Sequence, residues 1–237
     1  MAPRYGKVHH VTSPLPSIEW LTSPSLAPYE NALGNMEKRV DAVIDGTAPE
    51  LVWFLEHPPT ITAGTSAVPA DLLNASNIPV FNVGRGGQHT WHGPGQRIGY
   101  LVLNLNRRRR DVRLYVKALE AWISEALAEL GVAAGPRDGR IGLWVDRSAD
   151  KGRGHEDKIA ALGIRIRRWV SFHGVSINVN PDLAEFGRIV PCGIDDPRYG
   201  VTSLEDLGIA ATMADVDSVL KGSFSRTVGS LLPPEPY

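Results

Sequence analysis

The chain of 237 residues contains one cysteine, Cys192, set between Pro191 and Gly193 in the segment RIVPCGI. That composition places the thiol on a tight turn after a short apolar strand. There it is either a buried small hydrophobe, the usual fate of a lone cysteine, or a nucleophile, since no second thiol exists for an internal disulfide. Lys158, in EDKIAALG, tips the reading toward chemistry. It opens an otherwise apolar strand where a solvated side chain is out of place, and a period of two puts it in phase with Ala160, Leu162, Ile164 and Ile166, the face expected to point inward.

A second candidate is GRGGQHTWHGPGQ at 84 to 96, where five glycines surround Arg85, Gln88, Thr90, His92 and Gln96. Glycines are needed at such density where backbone approaches a ligand or takes positive φ. The spacing matches no phosphate-binding loop. An elaborate turn is the bland alternative, but the interleaved polar side chains favour a ligand-facing loop. His92 and His173 each sit beside a glycine at a strand end, and each is a hydrogen-bonded structural histidine or a direct participant. Zinc held by His92, His173 and Cys192 is conceivable, yet the closely spaced ligand pairs that prearrange such a site are missing, so no metal is expected.

These residues must be positioned by strands and helices. Apolar spacing at Ala32, Leu33, Met36, Val40 and Val43 predicts a helix within 27 to 45. Strands are expected at 50 to 57, 78 to 84 and 98 to 106. The strongest helix signal runs from 111 to 131, with Asp111 as N-cap, Leu114, Leu119, Ile123, Leu127 and Leu130 on one face, and Gly131 as terminator. Strands at 141 to 146, 158 to 170 and 173 to 180 follow, the last two as an antiparallel hairpin turning near Arg168, which places Lys158 opposite 178 to 180. Thr202 or Ser203 is a candidate N-cap for a weaker helical tail. Mixed strands, hairpins and helices argue for α+β with a mixed sheet.

Composition is that of an ordinary globular chain: 43% hydrophobic, 22% charged, with 24 Gly and 18 Pro. One domain spanning 1 to 237 is expected. A net charge of −1 gives no overall drive toward nucleic acid or anionic membrane, and neither is expected as a partner. The run Arg107, Arg108, Arg109 and Arg110 is a solvated turn or, more sharply, a docking surface for an acidic carrier protein. No stretch approaches eighteen consecutive apolar residues, and MAPRYGKVHHVTSPLPS lacks a signal-peptide pattern, so a cytoplasmic protein is expected.

In order and spacing, RGGQHTWHGPGQ, KIAALGIRIRRWVSFHG, NVNPDL and RIVPCGI followed by GVTSL resemble the lipoyl(octanoyl) transferase family, and LEHPPTITAG resembles its N-terminal motif. The resemblance covers roughly residues 27 to 207. It implies the mixed sheet flanked by helices of the biotin and lipoate protein ligase catalytic domains, with a Cys/Lys pair that falls on Cys192 and Lys158. It further implies substrate contacts from Arg85, Gly86, Gly87, Gln88, His89, Thr90, Trp91 and His92, from Ala161, Leu162 and Gly163, and from Gly174, Val175 and Ser176. Trp91 stands where the family more often has Tyr. The stretch DRSADKGRGHED is longer than usual and expected as a surface loop, and PPTITAGTSA lacks the arginine commonly found after its glycine.

The implied reaction moves an octanoyl group from octanoyl-acyl carrier protein through a Cys192 thioester to a lysine of lipoyl domains, in 2-oxoacid dehydrogenase complexes and the glycine cleavage H protein. It needs no ATP or other cofactor, because thioester exchange is near energy-neutral. An ammonium about 4 Å from a thiolate is worth on the order of 4 kcal/mol at an effective dielectric near 20, enough to depress a thiol pKa by up to about three. A monomer is expected. The pocket is expected to be an apolar tunnel lined in part by Trp91, Leu162 and Val175, in which enlarging Gly163 or Gly174 shortens the preferred acyl chain. Rival readings are an ATP-dependent ligase of the same fold, an amidotransferase fed by acylated proteins, and an inert binding module.

Overall fold

A computed structural model describes residues 17–75, 77–190 and 196–231. Its chief element is a mixed sheet in the order β1 (Ile18–Thr22), β2 (Glu50–Leu55), β6 (Gln96–Val102), β10 (Val170–Asn178), β9 (Glu156–Arg167), β8 (Arg140–Asp146), β7 (Ala134–Arg137), with β11 (Tyr199–Val201) pairing β9 in parallel. A small second sheet joins β3 (Thr60–Ala63) to β4 (Val80–Asn82) and β5 (His89–His92). This is the expected α+β architecture, with helices on both faces.

Helix α1 (Tyr29–Ile44) buries Ala32, Met36, Val40 and Val43 against Leu51, Leu55, Ile98 and Phe172 on one face of the large sheet. Helix α2 (Val112–Glu129) and helix α4 (Met213–Phe224) cover the other face, where Leu119, Trp122, Ile123 and Leu220 meet Phe54, Leu101, Val175 and Ile177. Asp111 caps α2 as expected, its carboxylate accepting from the Leu114 N–H at 3.0 Å, and Gly131 beyond the helix end has φ +85.

Four expectations are corrected. Thr202 and Ser203 start no helix; they cap a turn in which Ser203 Oγ accepts from Asp206 N–H, while α4 begins ten residues later with a reciprocal cap between Thr212 and Asp215. The run at 107 to 110 is not uniformly solvated, because Arg108 is wholly buried against Glu50 whereas its three neighbours are exposed. The charged stretch before Lys158 lies at the surface over 147–155 as expected, but it is not all loop: its ends belong to β8 and β9, it contains a single helical turn, α3 (Ser148–Lys151), and its last residue, Asp157, is buried and binds Lys151 at 2.5 Å.

The fourth correction bears on the site. The hairpin of β9 and β10 turns at Arg168 and Trp169 as expected, but its pairing stops at Ala160 with Ile177. Beyond that point the Lys158 carbonyl accepts from Thr202 N–H at 3.0 Å, and Lys158 stands beside Val201 of β11. On its other side Leu143 faces Ala160 while Trp144 faces Lys158, so Ile159 is an extra residue in β9. Such a bulge reverses side-chain phase. Ala160 stays in the core under α2, whereas Lys158 shares the opposite face with Trp144.

Candidate active site

A cavity of about 430 Å³ lies between the glycine segment and the hairpin. Lys158 lines it although only 6% exposed. Its ammonium donates to the Ile141 carbonyl at 2.8 Å and lies 4.6 Å from the centre of the Trp144 ring. Gly142, at φ +114, leaves room for the stem: a Cβ there would fall 2.7 Å from the Ala160 carbonyl oxygen and 3.1 Å from Lys158 Cε. Cys192 lies outside the described residues. Ile189 and Val201, which precede and follow it, line with Lys158 a smaller adjoining cavity.

The glycine segment forms one wall, through Arg85, Gly86, Gly87, Gln88, His89, Thr90 and His92. Arg85 also holds that wall together. It is buried, and Nη2 donates to the Thr62 hydroxyl at 2.6 Å, the Thr62 carbonyl at 2.9 Å and the Gln88 carbonyl at 3.0 Å. Gly86 N–H bonds the Ile164 carbonyl at 3.0 Å and ties the loop to β9. The facing wall consists of Ala161, Leu162 and Gly163 of β9 with Gly174, Val175 and Ser176 of β10.

Trp91 is the one predicted contact outside this lining. It packs beneath the small sheet with Ile61, Ile189 and Phe186, its ring 5.3 Å from that of Phe186, so it supports the loop from behind instead of walling the cavity.

The wall away from Lys158 contains residues that sequence reasoning missed. Tyr29 and Tyr100 line the cavity beside His92 and His173, and His57 stands behind them. His57 Nδ1 lies 2.6 Å from the Ala27 carbonyl, which can only accept, so Nδ1 carries the proton and Nε2 accepts from the Tyr100 hydroxyl at 2.7 Å. Burial pushes His57 down to about 4 and, helped by Arg85, His173 down to about 3. His92 falls to about 3, first through burial and then through the neighbouring His57. These imidazoles are therefore neutral near pH 7. His57 had a signal in the sequence, a histidine ahead of Pro58 and Pro59 at a strand end; Tyr29 and Tyr100 had none.

A chain of polar contacts ties the loop to the segment after Cys192. His92 Nδ1 lies 2.7 Å from Gln96 Oε1, Gln96 Nε2 donates to Asn178 Oδ1 at 2.9 Å, and Asn178 Nδ2 donates to the Thr202 carbonyl at 2.9 Å. His173, at φ +59, leaves Nε2 without a partner among the described residues. Among them, no three His, Cys, Asp or Glu groups are placed to hold a metal, and no helix is long and apolar enough to cross a membrane.

The arrangement suits a buried amine acting on a ligand whose apolar part lies along Leu162, Val175 and Ile98. The family model of the lipoyl protein ligase A/B catalytic domain matches residues 28–225. A protein of Maricaulis maris (strain MCS10), named octanoyltransferase, is 56% identical over 91% of this chain and 93% of its own. Another of that name from Hyphomonas neptunium (strain ATCC 15444) is 56% identical over 92% and 93%. Among solved structures, a bipartite lipoate protein ligase from Thermoplasma acidophilum superposes with a TM-score of 0.63 at 16% identity, covering 89% of this chain and 83% of that one. A lipoate-protein ligase A bound with ATP gives 0.62 at 17% identity, covering 90% and 85%. At such identities these two structures speak for the fold alone.

Proposed function

Since this chain belongs to the octanoyltransferase family, built on the lipoyl protein ligase A/B catalytic domain, we propose that it transfers an octanoyl group from octanoyl-acyl carrier protein to the lysine amine of lipoyl domains through a thioester on Cys192, in the cytoplasm and without ATP. The observation that carries this reading is the placement of Lys158, a buried amine turned by a bulge into the cavity and shared with a smaller adjoining cavity that Ile189 and Val201, on either side of Cys192 in the sequence, help to line. The whole chain acts as one catalytic domain.

In the first half-reaction the Cys192 thiolate attacks the donor thioester carbonyl. The new C–S bond forms, the carrier C–S bond breaks and the carrier departs as a thiolate, after which the Lys158 ammonium, no longer facing a thiolate, gives its proton to solvent. In the second, the acceptor amine attacks the Cys192 thioester and gives its proton to Lys158, the C–N bond forms, and Cys192 leaves as thiolate. Leu162 and Val175 on the hairpin and the loop from Arg85 to His92 hold the acyl chain between them, away from water.

Mass spectrometry after mixing the protein with octanoyl-acyl carrier protein tests this directly. One octanoyl group should appear on the peptide containing Cys192, none on a Cys192→Ala variant, and the adduct should disappear on adding a lipoyl domain. Release of pyrophosphate from ATP with free octanoate, with no such adduct, would instead establish a ligase.

A further inference from the structure

The reading above uses Lys158 but leaves unexplained the aromatic and cationic residues packed around it. Two cations face one ring: Lys158 Nζ and Arg140 Cζ each lie 4.6 Å from the centre of Trp144. Arg140 also lies 4.2 Å from the centre of the Tyr199 ring, which meets Trp144 edge-on at 5.9 Å. Glu156 binds both Arg140 and Arg137, anchoring Arg140 from β9. Trp144 and Tyr199 belong to the strands that flank Lys158 on either side, β8 and β11.

We infer that Trp144, fixed by Arg140 and Tyr199, is a positioning residue for the Lys158 ammonium. The stem of Lys158 is flexible, and the Ile141 carbonyl accepts one of its N–H bonds. A π face 4.6 Å away restrains it further and does so without capturing the proton that the reaction needs to move. A carboxylate in its place would bind the ammonium more strongly and hold it against proton transfer. The ring is itself held by Arg140 of its own strand and by Tyr199 of β11, so the position of Lys158 follows that of β11, the strand that begins shortly after Cys192. This inference rests on the proposed role of Lys158.

The test compares Trp144→Phe with Trp144→Met, which have similar bulk but differ in having a π face. The first readout is the rate at which an amine-reactive reagent labels Lys158, mapped by peptide mass and compared with Lys38 and Lys221. The second is octanoyl transfer at saturating acceptor. Relative to Phe, Met should label Lys158 several-fold faster and lower kcat by roughly tenfold, with KM changed less than about twofold. As a shape-preserving control, wild-type protein made with fluorinated tryptophan should lose kcat as fluorine weakens the ring face, and Trp144→Phe protein made the same way should not lose more. Equal labelling and equal kcat for Phe and Met, or no response to fluorination, would overturn the inference. A fully active Lys158→Met variant would remove the proposed role of the lysine, while the labelling comparison would still report whether the ring restrains it.

Discussion

Arg108 stands between arginines that look alike in sequence, and replacing it should have a consequence wholly unlike theirs. Both its side chain and that of Glu50 are 0% exposed, joined by two contacts of 2.6 and 2.7 Å. Glu50 Oε1 also accepts from the Asn104 N–H at 2.7 Å, and Asn104 bridges to Val170 at the start of β10. The pair thus fastens the end of the hairpin remote from Lys158. Arg108→Leu would leave a buried carboxylate with a single backbone donor, a loss of about 3–5 kcal/mol. With a urea m value of about 2 kcal/mol/M, that is a midpoint lowered by roughly 1.5–2.5 M. Arg109→Leu, at an exposed position, should cost no more than about 0.5 kcal/mol. Arg108→Leu combined with Glu50→Leu should recover much of the loss, because it removes the orphaned charge instead of creating one. Urea unfolding followed by tryptophan fluorescence reads all three. Arg108→Leu and Arg109→Leu proteins with the same midpoint would refute the burial argument.

Three further outcomes follow from the site. Lys158→Arg should still form the octanoyl adduct but pass it on far more slowly, because guanidinium keeps the positive charge yet is not deprotonated; equal loss of both half-reactions, followed by mass spectrometry, would limit Lys158 to charge placement. His57 and His173 are neutral in the fold, at about 4 and about 3, but protonate near 6.5 when unfolded. The unfolded chain therefore binds more protons as pH falls below 6.5, and stability should drop by about 1.4 kcal/mol per pH unit for each histidine until the folded values are reached; urea midpoints that do not move between pH 6.5 and 5 would contradict this. Gly163→Ala should shift preference to shorter acyl chains, since its Cβ would press 2.9 Å from Arg85 Cδ at the cavity wall. Gly174→Ala cannot serve the same test, because its Cβ would fall 2.1 Å from the Gly99 carbonyl oxygen and force β10 from β6, so thermal unfolding should show lost stability.

Much of the scaffold was legible because local signals and tertiary packing agree there. Helix α2 has its Asp111 cap, its apolar stripe and its terminal glycine in register, and the core under it rewards the same stripe. The hairpin was legible from alternation, but nothing in Arg168 and Trp169 announced a turn that holds both at positive φ, +50 and +64, where glycine or asparagine is usual. Trp91 was placed in the cavity by its position within a motif, whereas its burial is decided by Phe186 and Ile189, nearly a hundred residues away.

Lys158 lines the cavity, but not for the reason that alternation along its strand suggests. Strict alternation from Ile166 back through Ala160 predicts that Lys158 shares their face, and that face is the dry core beneath α2. An amine buried there would lack both partner and access, and its desolvation would be severe. The bulge at Ile159 spends one residue to reverse the phase, so the same strand can pack Ala160 inward and present Lys158 to the cavity. Its sequence trace lies in the neighbouring strand, in Gly142, whose missing Cβ clears both the Ala160 carbonyl and the lysine stem. Gly142→Ala should therefore impair octanoyl transfer more than it lowers the thermal midpoint, because the new methyl meets Lys158 Cε at 3.1 Å as well as the backbone. A variant that loses stability but keeps full kcat per folded molecule would show that the bulge serves the sheet and not the lysine.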